Sequence, residues 1–153
     1  MILLSYNCRG LASPHKKLSL KRMITLLGPQ IILLQEMMGP RDLVKEALES
    51  WFPGWAFEAV DAAGRLGGVA IGWLTSMIRC DNFWGFRAGI GVEVYSRDID
   101  RVFFVVNIYG PYQEQLPFWD RIFSMSWWNS PNLIVGGDLN FSLGEAEIWG
   151  ESA

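Results

Sequence analysis

Residues 31–36 read Ile31-Ile32-Leu33-Leu34-Gln35-Glu36, an apolar run that ends in two polar side chains. An unbroken run of this length is typical of a strand that is covered on both faces. The run before it, residues 2–8, has the same design and delivers Asn7 near its end. Between the two, residues 16–27 carry apolar side chains at helical spacing. The sequence therefore starts as a strand, a helix and a second strand with a polar end.

The pattern changes after one further amphipathic helix at residues 40–51. Alternating apolar and polar residues predict short strands at 55–60, 67–73, 77–84, 91–96 and 102–109, with a turn at 61–66. A third helix is predicted at 115–127, and a buried strand at 132–135 leads into Gly136-Gly137-Asp138-Leu139-Asn140. Strand–helix units followed by an antiparallel meander predict the α+β class.

Composition favours a single domain with much apolar surface to bury. The 153 residues are 50% hydrophobic and 19% charged, against a charged share of about 25% in ordinary domains. Eight Trp and nine Phe indicate either extensive packing or a missing partner surface. No apolar run approaches the roughly 18 residues that cross a bilayer, and the start does not resemble a signal peptide. We therefore expect an intracellular protein with no membrane segment.

Cysteine spacing and charge restrict the kinds of site. Cys8 and Cys80 lie far apart without a CxxC or Cys/His cluster, so we expect neither a disulfide nor a zinc site. The formal net charge is −3, which gives no global basic field for nucleic acid. A local basic patch is present at residues 15–22, where His15, Lys16 and Lys17 are the first members.

Polar residues follow four of the predicted strands. They are Asn7, Glu36, Tyr109 and the pair Asp138 and Asn140. Taken singly, each has an ordinary explanation as a solvated strand end or an Asx turn. Taken together, carboxylate and amide oxygens at strand ends suit a hard cation such as Mg²⁺, which is held by one or two carboxylates, waters and substrate phosphate.

Five short motifs then carry a resemblance to the endonuclease/exonuclease/phosphatase family, whose fold is that of deoxyribonuclease I. Residues 5–11 resemble its W-N-x-R-G-L opening, with Tyr6 in place of Trp, and residues 34–36 resemble its L-Q-E motif. Residues 67–70, 107–111 and 137–140 resemble its G-G-V-A, N-x-Y-x-P and G-D-x-N motifs. The Arg-Gly-Leu and Tyr-Gly-Pro spellings are most similar to plant-type non-LTR (LINE) retrotransposon endonucleases.

This resemblance implies a four-layered α/β sandwich and Mg²⁺-dependent hydrolysis of phosphodiesters, with Mn²⁺ as a possible substitute. It makes Glu36 the main metal ligand, assisted by Asn7. Asp138 would orient or deprotonate the attacking water, and Asn140 would hold the phosphate and Asp138. Tyr109 would donate a hydrogen bond to the developing phosphorane.

The same resemblance implies DNA as the partner and, for a retroelement enzyme, a nuclear location. Arg9, His15, Lys16 and Lys17 are the candidate substrate contacts. His15 is the only histidine in the sequence and is expected in the loop between the first strand and helix, where it matches no catalytic position of the family.

The family pattern continues beyond G-D-x-N to a second catalytic Asp and an S-D-H segment. Residues 1–153 are therefore expected to be an incomplete, partial domain that is inactive in isolation. Loss of much of one sheet would expose the inner face of the other, where Trp73 and Phe104 should pack. Aggregation or association with a partner would then be expected. Two alternatives stay open: a decayed remnant without catalysis, and a phosphatase-type member of the same fold.

Overall fold

The fold is described from a computed structural model of the chain, which defines residues 1–61 and 67–142. The elements in chain order are β1 (Leu3–Asn7), α1 (Pro14–Leu27), β2 (Ile31–Gln35), α2 (Arg41–Trp51), β3 (Trp55–Val60), β4 (Val69–Leu74), β5 (Ile78–Phe86), β6 (Gly89–Ser96), β7 (Arg101–Tyr109), α3 (Gln115–Phe123), a 3₁₀ helix (Ser126–Asn129) and β8 (Leu133–Asp138). Beyond Asp61, the turn predicted at 61–66 lies outside the described residues.

In the residues that the structure describes, the strands form two mixed sheets of four, and the predicted α+β class is confirmed. The first sheet has the order β1-β2-β4-β3 and the second β5-β6-β7-β8. Within each sheet, one outer pair is parallel, β1 with β2 and β7 with β8, and the other pairs are antiparallel. The meander expected from the sequence is thus divided, since β3 and β4 belong to one sheet and β5–β7 to the other.

The main core lies between the sheets, and β2 shows how it forms. Ile31 and Leu33 pack toward the second sheet, while Ile32 and Leu34 pack toward the helices on the other side. All four side chains are fully buried, which confirms a strand covered on both faces. Burying a side chain of this size contributes about 1.5–3 kcal/mol, so β2 is a large part of the stability of the first sheet.

Helices cover the two outer faces and complete the four layers. Leu20 of α1 and Leu48 of α2 pack on the outer face of the first sheet. Phe118 and Ile122 of α3 pack on the outer face of the second sheet. None of the described helices is long and apolar enough to span a membrane.

The third helix is shorter than the sequence pattern predicts. It ends at Phe123 instead of residue 127, and the chain continues as the 3₁₀ helix Ser126–Asn129. The Ser124 hydroxyl donates to the Arg121 carbonyl at 2.7 Å, and the backbone of Met125 is extended. A serine that bonds its own helix backbone favours the end of a helix, which explains the break.

The inner face of the sheets is better covered than expected. Trp73 packs between the sheets and is only 8% exposed, so the expected exposure of this residue is wrong. Phe104 was expected on the inner face but lies on the outer face, with its ring 6.4 Å from that of Trp84. Side chains alternate along a strand, and Phe103 and Val105 on either side face the other sheet.

Candidate functional site at the strand ends

The five predicted site residues meet at one edge of the sandwich. Asn7 ends β1, and Glu36 directly follows β2; the two strands are parallel, so their carboxyl ends lie side by side. Tyr109 and Asp138 end β7 and β8 and are register partners in the other parallel pair. Each sheet therefore contributes one parallel pair of strand ends to this edge.

Asn7 joins the two sheets through its side-chain amide. Its Nδ2 donates to Glu36 Oε1 at 2.9 Å and to Asp138 Oδ2 at 2.7 Å. Its Oδ1 accepts from the Arg9 backbone N–H at 3.1 Å, which fixes the orientation of the amide. In this arrangement Asn7 acts as a donor that holds two carboxylates together.

Tyr109 provides the second link to Glu36. Its hydroxyl donates to Glu36 Oε1 at 2.7 Å. The hydrogen bond from Asn7 lowers the pKa of Glu36 against the opposing effect of burial, with smaller contributions from Tyr109, Arg9 and Lys16. Burial and the bond to Glu36 raise the pKa of Tyr109 well above its usual range. Glu36 is therefore an anion and Tyr109 a neutral donor at neutral pH.

Asn140 fixes Asp138 and the loop that follows it. The Asn140 backbone N–H donates to Asp138 Oδ1 at 3.2 Å, which is an Asx turn. The side-chain Nδ2 of Asn140 donates to the Gly110 carbonyl at 2.6 Å, and the backbone carbonyl of Asn140 accepts from Gln115 Nε2 at 2.7 Å. The amide nitrogen of Asn140 is thus engaged with the end of β7.

Unfavourable backbone conformations cluster around the site. Arg9, Glu36 and Asn140 have φ values of 47°, 53° and 51°, in the left-handed region that residues other than glycine seldom adopt. Gly137 has φ of 130°, and a Cβ there would lie 1.9 Å from the Ile108 carbonyl oxygen. Strain of this kind costs on the order of 1–3 kcal/mol per residue and persists where the surroundings fix it.

A buried amide pair lies directly beneath the site and was not assigned a role from the sequence. Asn107 Nδ2 donates to the carbonyls of Leu34 and Ala70, both at 2.9 Å. Gln35 Nε2 donates to Asn107 Oδ1 at 2.8 Å and to Ser5 Oγ at 3.2 Å. Asn107 and Gln35 are 0% and 1% exposed. The pair ties β7 to the first sheet, next to Glu36 and two residues before Tyr109.

The predicted substrate-contact residues are distributed more widely. Arg9 is exposed, and the Lys16 ammonium donates to the Arg9 carbonyl, so both lie on the Glu36 side of the molecule. Lys17 instead lies over the Trp51 ring, 4.9 Å from its centroid. His15 is exposed and belongs to the first turn of α1, not to the loop expected from the sequence. Pro14 begins the helix earlier, because proline is favoured in the first helical turn.

The donor set fits a hard divalent cation supported by few protein ligands. Within residues 1–61 and 67–142 no cluster of three His, Cys, Asp or Glu side chains is present. Glu36 and Asp138 are the two carboxylates, and Mg²⁺ sites commonly use only one or two. Over the same ranges no hydrogen bond involves Glu36 Oε2, which leaves that oxygen available to a cation. Cys8 and Cys80 are free thiols, and Cys8 is buried on the helix side of the first sheet.

Comparison with known proteins identifies a family for this chain but no curated relative. The model of the Endonuclease/Exonuclease/phosphatase family matches residues 4–150, almost the whole chain. Comparison with curated protein sequences finds no relative of this chain.

Solved structures share the fold at low sequence identity. A structure of D. rerio TDP2 complexed with single strand DNA product is 15% identical, with a TM-score of 0.71, 92% of this chain covered and 60% of the other. The mannosyl-6-phosphatase Bt3783 of Bacteroides thetaiotaomicron is 14% identical, with a TM-score of 0.68, 90% of this chain covered and 64% of the other. The human Nocturnin catalytic domain with bound sulfate anion is 16% identical, with a TM-score of 0.61, 85% of this chain covered and 58% of the other. The chain thus spans about three fifths of the length of these structures.

Proposed function

Because this chain belongs to the endonuclease/exonuclease/phosphatase family, we propose that it is part of a metal-dependent phosphodiesterase that hydrolyses DNA. Members of the family are hydrolases of phosphodiesters or phosphate esters and generally depend on a divalent metal. The observation that carries the proposal is the Asn7 amide, which bridges Glu36 on one sheet and Asp138 on the other. Two carboxylates held at fixed separation, with a phenol bonded to one of them, suit phosphoryl chemistry.

The metal assigned to this site is Mg²⁺, with Mn²⁺ as a substitute. Glu36 would be its principal ligand, and Asn7 would assist by holding the carboxylate in place. When bound, a divalent cation offsets negative charge on the phosphoryl oxygens and the leaving group.

The side chains of this chain divide the remaining work. Asp138 would orient or deprotonate the attacking water, since Asn7 and the Asn140 backbone hold both of its oxygens in place. The Tyr109 hydroxyl, which stays protonated, would donate a hydrogen bond to a phosphate oxygen as charge develops there. Asn140 would donate to the phosphate through the second hydrogen of its side-chain amide, since the first is donated to the Gly110 carbonyl, and its backbone N–H would hold Asp138 in place. Each role needs a group that is already oriented before substrate arrives.

DNA is favoured as the substrate by the positive charges next to Glu36. Arg9 and Lys16 contribute cations there, although the whole chain carries a formal net charge of −3. His15 and Lys17 are more distant candidates for backbone phosphate contacts. The narrower proposal, a plant-type retroelement endonuclease acting in the nucleus, rests on the Arg-Gly-Leu and Tyr-Gly-Pro spellings. A phosphatase is the second candidate, because Bt3783 has the same fold.

We expect hydrolysis by residues 1–153 alone to be weak. The sequence supplies one histidine, and it lies in the first turn of α1. A positioned acid–base group contributes about 10²–10⁴-fold in rate, so the second Asp and the His of the family pattern would account for several orders of magnitude. A remnant without catalysis is the alternative, in which no added segment restores activity.

Nicking of supercoiled plasmid in Mg²⁺ tests the proposal. The chain is compared with a fusion in which the C-terminal half of a family endonuclease follows it, each with an EDTA control. Asp138→Asn should abolish nicking by the fusion, whereas Asp120→Asn, at an exposed position of α3, should leave it unchanged. Equal nicking by wild type and Asp138→Asn would refute the assignment. Release of phosphate from a monoester without nicking would favour the phosphatase.

A further inference from the structure

A cavity adjoins the candidate site on the outer side of the second sheet. It lies between the turn that joins β5 to β6 and helix α3, and its volume is about 430 Å³. Pockets that hold small organic groups fall at roughly 300–1,000 Å³, so this one has the right size for a ligand group. Tyr109 lines it and also donates to Glu36, so the cavity and the candidate site share a residue.

The floor of the cavity is apolar and partly aromatic. Phe86, Phe118 and Ile122 line it, and the last two are buried in the core beneath α3. Phe86 is held by the Trp127 ring, with centroids 5.7 Å apart. A rigid aromatic surface of this kind suits a flat ring that stacks on it.

Two arginines stand at the rim. Arg87 belongs to the β5–β6 turn and Arg121 to α3, and both are exposed. Neither forms a salt bridge with any residue of the described ranges. Glu114 also lines the cavity, so the formal charge of its lining is +1 in a chain whose total is −3. The rim is therefore locally attractive to a phosphate, while the floor is not.

We propose that this cavity receives an unpaired nucleobase of the DNA strand next to the scissile phosphate. The base would stack on Phe86 and the apolar floor, and Arg87 and Arg121 would contact the phosphates on either side of it. Aromatic platforms combined with cationic rims are the usual means by which proteins hold single strands. The inference rests on the proposed function, and it makes single-stranded or frayed DNA the preferred substrate.

A paired base is not able to enter the cavity without leaving its partner. Binding of duplex DNA would therefore carry the cost of unpairing, which a single strand avoids. The pocket thus predicts a preference that phosphate contacts alone would not produce, because backbone charge is present in both kinds of DNA.

Binding of a fluorescent single-stranded oligonucleotide in EDTA tests the inference without hydrolysis. Fluorescence anisotropy gives the dissociation constant for wild type, Arg87→Gln, Arg121→Gln and Phe86→Leu. Arg97→Gln is the matched control, since Arg97 is exposed at the opposite end of β6. Circular dichroism confirms that each variant is folded. A second series of strands carries one abasic position that is moved stepwise along the sequence.

Arg87→Gln and Arg121→Gln each remove one charged contact and should each weaken single-strand binding about tenfold. Arg97→Gln should leave the affinity unchanged. One abasic position should weaken wild-type binding about tenfold, the scale of one stacked base, and this loss should shrink in Phe86→Leu. Equal affinity of the arginine variants and wild type would overturn the inference. The same holds if duplex DNA binds as tightly as the intact single strand, or if no abasic position in the series weakens binding. Plasmid nicking that survives Asp138→Asn would instead overturn the proposed function and leave these binding results standing.

Discussion

Replacing Asn107 by leucine should destabilise the fold through the contact that joins the two sheets beneath the site. Asn107 is fully buried and makes three described hydrogen bonds, two to the carbonyls of Leu34 and Ala70 and one from Gln35. Leucine has a similar volume but provides no partner. A buried hydrogen bond contributes about 1 kcal/mol net, so the three bonds place the loss near 3 kcal/mol. That is a large share of the roughly 5–15 kcal/mol that stabilises a domain.

Urea unfolding followed by tryptophan fluorescence measures this loss, since the chain has eight Trp residues. Asn82→Leu is the control, because Asn82 is exposed on β5 and should change stability by less than about 0.5 kcal/mol. An Asn107→Leu loss below about 1 kcal/mol, with an unchanged m-value, would refute the reasoning. It would mean that the buried amide pair does not hold the sheets in register.

Three further predictions concern a carboxylate, a thiol and a glycine. The pKa of Glu36 is lowered in the folded chain, so its stabilising contribution is complete above the ordinary carboxyl pKa and is lost as pH falls through the lowered value. Urea unfolding between pH 7 and pH 3 should therefore show a smaller loss for Glu36→Gln than for wild type; identical profiles would contradict this. Burial raises the pKa of Cys8 to about 12 and that of Cys80, which is only half-buried, to about 11. Iodoacetamide followed by mass spectrometry should label Cys80 first, and faster labelling of Cys8 would show that it is accessible. Gly137→Ala would place a Cβ 1.9 Å from a backbone oxygen and should cost at least about 2 kcal/mol. Gly28→Ala, where no atom lies within 4 Å, should cost about 1 kcal/mol, and similar losses for both would sink the steric argument.

The sequence predicted the existence of the elements because their patterns are local. The buried run at β2 and the alternation in β3–β7 place each strand within two residues of its observed bounds. The division of the meander between two sheets did not follow from the pattern, since alternation gives the faces of a strand and not its partner. The end of α3 at Phe123 was also missed, because it depends on a single serine hydroxyl.

The candidate site could be predicted as a set of strand ends but not as a network. Asn7 and Asp138 are 131 residues apart, and no spacing rule indicates that one amide spans both carboxylates. A signal for the buried pair was present, because Asn107 interrupts the apolar run of β7 and polar groups buried in such runs need partners. Arg87 and Arg121 gave no signal, since only the packing of α3 on the second sheet brings them to one cavity.

Titration of Mn²⁺ into the chain, followed by electron paramagnetic resonance, tests the central claim that the four strand ends form a divalent-metal site. Glu36→Gln keeps an oxygen that accepts from Asn7 and Tyr109 but removes the charge, and Glu93→Gln is a control on β6 outside the site. The account predicts one bound Mn²⁺ in wild type and in Glu93→Gln, and affinity weakened by about tenfold or more in Glu36→Gln. Equal affinity in all three proteins would contradict it.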